Sequence, residues 1–474
     1  MRAALPSFPI ANDVRFWIAF FFVIRLIGIT NPPLEVGHNW RQTTVTMVAR
    51  NFQEVDNNIL YPRIDFAGEK TGITGMEFPI LNYLIYGASE FFGYAHWYGR
   101  LINLIVSSFG LWFFYRLVSE FFKAPIALYS TLILSVSIWF QFSRKIMPDT
   151  FAMSLIMAGM YYGVKFLKGN ETRKNWTSLL LYFILIMLGV LAKLPTGYLL
   201  VVFIVLFFDK NILLQRKIIL SFVTSLALIP SVLWYFYWVP LLVDNYGFWH
   251  FFMGKSMRTG FAEILDNAQA TFQKFYDTAL KFTGFAFFTW GFMQAWMSRD
   301  KKILWIFFAA LSLFTIIIFK AGYTFPHHNY YIIPFVPVMA LIAGYGLTTI
   351  ASQRWRLIII IAIAIEGIAN QQHDFFLKDK QKELLSLEAD LASISQPADL
   401  IAINSGDFPT PMYFAHRKGW ILRNEDLLNE TYMEDLKRKG LKFIVVLHSN
   451  NANNEFNKNF KILLDADAYS IYQF

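Results

Sequence analysis

Long apolar segments alternate with short polar connections up to residue 371, and this pattern predicts a bundle of membrane-spanning helices. A helix that crosses a bilayer needs about 20 mostly apolar residues. We predict about 11 spans, at 14–30, 99–118, 125–142, 150–167, 177–193, 195–209, 218–239, 282–298, 303–320, 330–351 and 356–371. Segment 78–93 is also apolar, but we expect it to form a helix at the outer membrane surface, because another crossing would invert every later loop.

The tail, 372–474, has a different pattern. Residues 378–395 read as an amphipathic helix, 399–403 and 442–448 as buried strands, and 425–439 as a helix that ends at Gly440. This order predicts a small α/β domain. The expected organisation is therefore a transmembrane bundle over 1–371, with large external loops at 31–98 and 240–281, and an extracytoplasmic domain over 372–474.

Basic residues orient the predicted bundle, because Lys and Arg are concentrated in cytoplasmic connections. With a cytoplasmic N-terminus, the inside connections are rich in Lys and Arg, as at 165–174, 210–217 and 299–302. The short outside connections hold only Arg144 with Lys145, Lys193 and Lys320. We therefore expect a multi-pass protein with an extracytoplasmic C-terminus, and the compact loops favour a bacterial inner (plasma) membrane.

Composition narrows the class further. Hydrophobic residues make up 56% of the chain and charged residues 16%, which excludes both an ordinary soluble enzyme and a disordered chain. The net charge of +9 is expected in the cytoplasmic loops, so nucleic acid is not a predicted partner. The chain has no cysteine, which excludes thiolate chemistry and Cys-ligated zinc.

Polar clusters fall on the predicted outer face. Glu35, His38 and Arg41 follow the first span, where a carboxylate could act as a general base for a hydroxyl nucleophile. The alternative is that Glu35 pairs with Arg41 and holds the loop in place. Arg63 and Glu77 frame a glycine-rich stretch further along the same loop.

The remaining candidate site residues are mainly basic. Arg144, Lys145 and Asp149 lie between the third and fourth spans, where two cations could bind a phosphate. Scattered outer-face cations would suit an anionic substrate, and they include Lys193, Arg258, His327 and His328. Adjacent histidines without an HExxH pattern do not predict a metal site.

These motifs together resemble a known group of enzymes. The first-loop acid Glu35, Glu77-Phe78-Pro79 before the surface helix, Arg100-Leu101 and Ser143-Arg144 followed by Asp149 are similar to GT-C membrane glycosyltransferases. The resemblance is strongest to the branch of protein O-mannosyltransferases and lipid A aminoarabinose transferases, glycosyltransferase family 39. It covers about 10–350 in layout and 31–155 in motifs.

The resemblance implies transfer of a sugar from a polyprenyl-phosphate donor to a hydroxyl of a lipid, glycan or protein acceptor, at the external membrane face and with inversion. Glu35 would be the general base with His38 as its partner, and Asp149 and Glu77 would be further catalytic acids. Arg144, Lys145 and Lys193 would face the donor phosphate. The other predicted substrate-binding residues are Arg41, Arg63, Arg258, His327 and His328. No cofactor is predicted; some relatives use a divalent metal, and others do not.

Two alternatives stay open. A transporter or flippase of lipid-linked saccharide would place its polar groups near the bilayer midplane, often on broken helices in repeated halves. An O-antigen ligase or polymerase type of enzyme would carry a large late loop with essential Arg and His, and loop 240–281 contains His250 and Arg258.

Overall fold

The computed structural model describes residues 12–35, 37–169, 173–248, 254–450 and 460–474. The chain forms two compact units that do not follow its linear order. We call Met1–Ile29, Arg100–Phe236 and Phe252–Gln372 the bundle unit. We call Thr30–Gly99, Tyr237–Phe251 and His373–Phe474 the head unit, so the first predicted external loop and the tail belong to one body.

The bundle unit is helical. Its longer helices are Val14–Arg25, Tyr98–Ser119, Ala124–Val136, Pro148–Lys168, Arg173–Ala192, Leu214–Leu233, Met257–Asp266, Lys281–Met297, Lys301–Ala321, Val336–Thr348 and Gln353–Ala369. Shorter helical turns at Ile138–Gln141, Phe142–Arg144, Leu194–Phe203, Ile204–Phe207, Thr324–His327 and Asn329–Phe335 connect them. A π-helical segment at Trp234–Trp238 continues into the helix Val239–Tyr246.

Six of the described helices are long and apolar enough to cross a membrane: Tyr98–Ser119, Pro148–Lys168, Asn175–Ala192, Leu214–Tyr246, Lys301–Ala321 and Asn329–Thr348. A seventh span results if the bent pair Ala124–Val136 and Ile138–Arg144 counts as one. Three further predicted spans are shorter helices of 12, 17 and 17 residues, at Val14–Arg25, Lys281–Met297 and Gln353–Ala369. A multi-pass helical protein is thus confirmed, and the count of eleven spans stays a prediction.

The third predicted span, 125–142, is broken rather than continuous. Its two helical parts meet at 52°, with Ser137 in an extended conformation between them. The Ser137 hydroxyl accepts a hydrogen bond from the Trp139 amide, and the Gln371 side chain donates to the Val136 carbonyl at 3.1 Å. A break inside a bundle needs such partners, because backbone groups away from water must be satisfied internally.

The head unit combines the first-loop helices Asn39–Glu54 and Ile80–Phe92 with the α/β tail. The helix Ile80–Phe92 has 13 residues and is about 20 Å long, short of the ~30 Å hydrocarbon core. The helices of the tail are Asp379–Lys382, Glu383–Ser386, Leu387–Ile394, Thr410–Ala415, Asn424–Leu427 and Glu430–Arg438. The predicted single helix over 378–395 is therefore divided into three consecutive pieces.

The tail contains a five-stranded sheet. Its strands are β1 (Leu400–Ile403), β2 (Gly419–Ile421), β3 (Leu441–Leu447), β4 (Lys461–Asp465) and β5 (Tyr469–Gln473), in the order β2-β1-β3-β5-β4. β1 is parallel to β2 and β3, whereas β5 is antiparallel to β3 and β4. The predicted small α/β unit is confirmed, and its two predicted strands are the central parallel pair.

Backbone hydrogen bonds join the first loop to this sheet. The Gly68 amide donates to the Gly419 carbonyl at 2.7 Å, and the Gly419 amide donates to the Asp65 carbonyl at 3.0 Å. The Asp65 carboxylate accepts from Arg50 at 2.9 Å and from Asn51 at 2.7 Å, and all three side chains are buried. Loop and tail thus share one core.

Candidate active site

A buried asparagine organises the turn that carries Arg144, Lys145 and Asp149. The Asn103 side-chain amide, on the helix Tyr98–Ser119, is directed at the carbonyls of Phe142, Lys145 and Met147, at 3.2, 2.8 and 3.2 Å. Its own carbonyl accepts from the Thr150 hydroxyl at 3.1 Å. One side chain therefore holds both ends of the turn within the apolar bundle.

Asp149 occupies the first turn of the helix Pro148–Lys168, directly after Pro148. Proline suits this first position because its missing N–H would have no partner there, and the helix dipole stabilises an acidic residue at this end. The Asp149 carboxylate lies 3.6 Å from the Lys193 ammonium, and both side chains are largely buried. The Lys193 ammonium also lies 5.6 Å from the centre of the Tyr330 ring, a cation–π contact.

Arg144 and Lys145 are almost completely buried, each with 1% of its surface exposed. The Lys145 ammonium lies 5.5 Å from the centre of the Phe142 ring. Buried cations in a membrane bundle are costly, and they are a usual mark of a substrate or ion site. The turn and Lys193 together bring three cations and one acid from different parts of the sequence into the interior of the bundle unit.

The head unit holds the first-loop candidates. Glu35 is buried at 3% exposure, and His38 takes a left-handed conformation immediately before the helix Asn39–Glu54. Arg41 forms a buried ion pair with Glu77. This pair connects the start of that helix to the residues that precede Ile80–Phe92, so both side chains also stabilise the loop.

Arg63 lies in the same loop and forms an ion pair with Asp56 at 2.7 Å. The hydrogen bond from Arg63 lowers the pKa of the Asp56 carboxyl, and a backbone bond from Asn58 acts in the same direction. The backbone of Arg63 also bridges to Ile73 across the glycine-rich stretch. These contacts indicate that Arg63 orders the loop.

The later candidates lie in the bundle unit. Arg258 is exposed on the helix Met257–Asp266. The exposed His327 ring stacks on Tyr323 with 3.9 Å between ring centres, whereas His328 is half-buried and stacks on Tyr330 at 5.4 Å. His328 thus shares Tyr330 with Lys193. His250 lies outside the described residues.

The sequence analysis did not identify two residues of this candidate site, Asn103 and Tyr330. Asn103 lies within a predicted span, and a polar side chain inside an apolar run is a signal that could have identified it. Tyr330 follows His328 and gives no comparable signal, because a tyrosine near the end of a span is typical of the membrane interface. Within the described ranges, no group of three or more His, Cys, Asp or Glu side chains is placed to hold a metal ion.

Comparison with known proteins relates this multi-pass helical chain and its buried cations to the GT-C glycosyltransferases. Residues 77–235 match the sequence model of the dolichyl-phosphate-mannose-protein mannosyltransferase family. No curated protein has a significantly similar sequence.

Solved structures extend the likeness to nearly the whole chain. ArnT from Cupriavidus metallidurans, bound to undecaprenyl phosphate, superimposes with a TM-score of 0.64 at 12% identity, over 96% of this chain and 98% of ArnT. The archaeal oligosaccharyltransferase AglB from Archaeoglobus fulgidus, in complex with an inhibitory peptide and a dolichol-phosphate, gives a TM-score of 0.57 at 14% identity, over 91% of this chain and 69% of AglB. The resemblance to the GT-C glycosyltransferases is therefore confirmed, for the family over 77–235 and for the fold over nearly all of the chain.

Proposed function

We propose that this protein transfers a sugar from a polyprenyl-phosphate donor to an acceptor hydroxyl at the external face of a bacterial inner membrane, with inversion at the anomeric carbon. The observation that carries the proposal is the buried turn of Arg144, Lys145 and Asp149 with Lys193 beside it. ArnT and AglB, which share the fold, were solved with undecaprenyl phosphate and dolichol-phosphate.

The chemistry of this donor explains why cations matter at such a site. Cleavage of the bond between sugar and phosphate leaves a phosphate that is a weak base, so a strong general acid is unnecessary. Positive groups that are already in place stabilise the negative charge of the departing phosphate. Arg144, Lys145 and Lys193 supply such charge in a bundle interior, where water screens it little.

The acceptor hydroxyl must lose a proton when it attacks the sugar. Glu35 and Asp149 are the two candidate carboxylates, and both are buried. We assign the base to Glu35. Asp149 orients the acceptor and, through its ion pair, fixes the Lys193 ammonium. A positioned general base contributes about 10²–10⁴-fold to a rate, which sets the expected loss when it is removed.

The test is transfer by purified protein from a polyprenyl-phosphate hexose, compared among Glu35→Gln, Asp149→Asn and the exposed control Glu90→Gln. We expect the first two variants to lose about 10²-fold or more and the control to keep its rate. A near-normal rate for Glu35→Gln would remove the base assignment.

The transporter alternative is tested by a separate measurement on the same purified protein. The protein is placed in liposomes with lipid-linked saccharide, and both consumption of the donor and its movement across the bilayer are followed. Movement without consumption would replace the transferase proposal by a transporter.

A further inference from the structure

A cavity with polar lining residues lies entirely within the head unit, at the carboxyl ends of β1 and β3. Its volume is about 460 Å³, within the ~300–1,000 Å³ typical of small-molecule sites. Ser405 follows β1, and His448 and Asn450 follow β3. Crevices at the carboxyl ends of parallel strands are the usual ligand sites of open α/β sheets.

The polar part of the lining consists mainly of amides, hydroxyls and acids, with His448 as its one histidine among the described lining residues. Asn39, Gln381 and Asn450 contribute amides, and Glu383 and Asp467 contribute carboxylates, whereas no Lys or Arg is among the described lining residues. Phe408 also lines the cavity and is 59% exposed, so its side chain is accessible to a ligand. A phosphate-bearing ligand would find repulsion here, whereas a neutral ligand with many hydroxyls would find both donors and acceptors.

Ser405 provides an independent sign that this cavity binds a polar ligand. The residue is 4% exposed, and its hydroxyl has no hydrogen-bond partner among the described residues. Buried polar groups are otherwise satisfied in the large majority of cases. Ser405 lines the cavity, so a rotation of its side chain would bring the hydroxyl to a ligand there.

The wall around Ser405 is already held in place. The Asn404 side chain accepts from the Leu447 amide at 2.6 Å. The Asn450 side chain donates to the Asn404 carbonyl at 2.6 Å, and the Asn424 side chain donates to the Asn450 carbonyl at 2.6 Å. These bonds connect the loops after β1 and β3, so the cavity needs little reorganisation to bind a ligand.

We propose that this cavity binds a neutral saccharide, and that this saccharide is the sugar portion of the acceptor. The second statement rests on the proposed transferase function. Amides and hydroxyls can donate to sugar hydroxyls or accept from them, carboxylates accept from them, and the exposed ring of Phe408 suits the apolar face of a pyranose. Leu34 and Asn39 line the cavity, and the candidate base Glu35 lies between them in the sequence.

A peptide ligand is less well matched. Extended peptides add to the free edge of a sheet, and the outer strands here are β4 and β2, of which β2 already bonds to the first loop through Gly419. The cavity instead lies at the strand ends, where no run of backbone partners is offered. Peptide binding is nevertheless made an outcome of the test.

The test uses the full-length protein in detergent and saturation-transfer NMR with three neutral probes: methyl α-mannopyranoside, methyl β-glucopyranoside and methyl N-acetyl-β-glucosaminide. We expect saturation transfer to at least one glycoside, and dissociation constants about fivefold higher for Ser405→Ala and for Phe408→Ala. The matched controls Ser393→Ala and Phe376→Ala, which change residues outside the cavity lining, should bind as the parent does. Ser405→Ala should leave the melting temperature unchanged or higher, because it removes an unsatisfied buried hydroxyl.

Four other outcomes would overturn the proposal that the cavity binds a neutral saccharide. These outcomes are no transfer to any glycoside, binding that neither cavity variant weakens, stronger binding of glucose 6-phosphate, and binding of a neutral Ser-containing tripeptide in place of the glycosides. The transfer assay separates this result from the transferase proposal. Saccharide binding that the cavity variants weaken, without donor consumption, would support the saccharide site and reject the transferase proposal. Turnover with an unchanged acceptor KM in both cavity variants would support the transferase proposal and reject the cavity as the acceptor site.

Discussion

The Asp149 carboxylate lies 3.6 Å from the Lys193 ammonium, with 4% and 11% of the two side chains exposed. Water screens a pair this deeply buried in a bundle only a little, so removal of one partner leaves the other as a buried charge without this partner. The pair joins the turn after Phe142 to the junction between the helices Arg173–Ala192 and Leu194–Phe203.

We expect Asp149 and Lys193 to be energetically coupled. In a double-mutant cycle with Asp149→Asn and Lys193→Met, the coupling free energy of unfolding should be about 1–3 kcal/mol. The exposed pair Asp379–Lys382, 2.9 Å apart, is the control and should show no measurable coupling. Additive effects at Asp149 and Lys193 would show that their proximity has no energetic consequence.

We expect Asn103 to be as important for stability and for donor binding as the charged residues that it positions. Asn103→Leu removes the donor for the carbonyls of Phe142, Lys145 and Met147, and we expect the free energy of unfolding to fall by about 1–3 kcal/mol. Affinity for a polyprenyl phosphate should fall with it, because Arg144 and Lys145 lose their fixed backbone. Ser108→Ala, on the same helix, removes only a bond to the Leu104 carbonyl and should change neither quantity much.

His416 makes the stability of the head unit depend on pH. Its ring nitrogens contact Glu388 at 2.6 Å and Glu54 at 2.9 Å. Hydrogen bonds to Glu388 and then to Glu54 raise the pKa of His416 from 6.5 to about 9, and the bond from His416 lowers the pKa of Glu388.

The sign of the effect follows from the direction of the His416 shift. Because the folded state binds this proton more tightly than the unfolded state, the stabilisation is complete below about pH 6.5 and disappears as the pH rises towards 9. Melting temperatures measured from pH 6 to 10 should therefore decline over that window in the parent and less in His416→Gln. Parallel profiles for the two proteins would contradict this assignment.

Gly68 allows the first loop to approach the sheet. Its φ is +58°, and a Cβ there would lie 2.4 Å from Nε1 of Trp420. Gly68→Ala should therefore lower the free energy of unfolding by about 2–4 kcal/mol, as strain of the left-handed conformation and steric overlap combine.

The control for Gly68 is Gly406→Ala. Gly406 has nearly the same φ, +60°, and a Cβ there would meet nothing within 4 Å. The cost should then be the conformational strain alone, about 1–2 kcal/mol. Thermal unfolding of both variants measures the difference, and equal effects would show that Trp420 moves aside freely.

The sequence predicts best where one physical term dominates. Pro148–Lys168 and Lys301–Ala321 agree with the predictions at 150–167 and 303–320 because uninterrupted apolar length alone defines them. The sequence analysis did not predict the break at Ser137. The side chain that bonds to the backbone at this break belongs to Gln371, which is far away in the sequence.

The candidate site, too, was predictable from the sequence only in part. The pattern identifies Arg144, Lys145, Asp149 and Lys193, since charge near an apolar segment is conspicuous in any membrane sequence. It could not predict that Arg41 pairs with Glu77, because that pair closes across 36 residues of loop. Nor could it find the cavity at Ser405, whose side chain becomes informative only when the packed structure leaves it without a partner.

The hydrogen bond from Gln371 to the Val136 carbonyl has a consequence for biosynthesis. The ribosome must add 235 further residues after Val136 before this donor exists. The broken span therefore completes its internal hydrogen bonding only when the last apolar helix of the bundle has been inserted. A nascent chain that stops short of that helix lacks this donor for the Val136 carbonyl, next to the segment that carries Arg144.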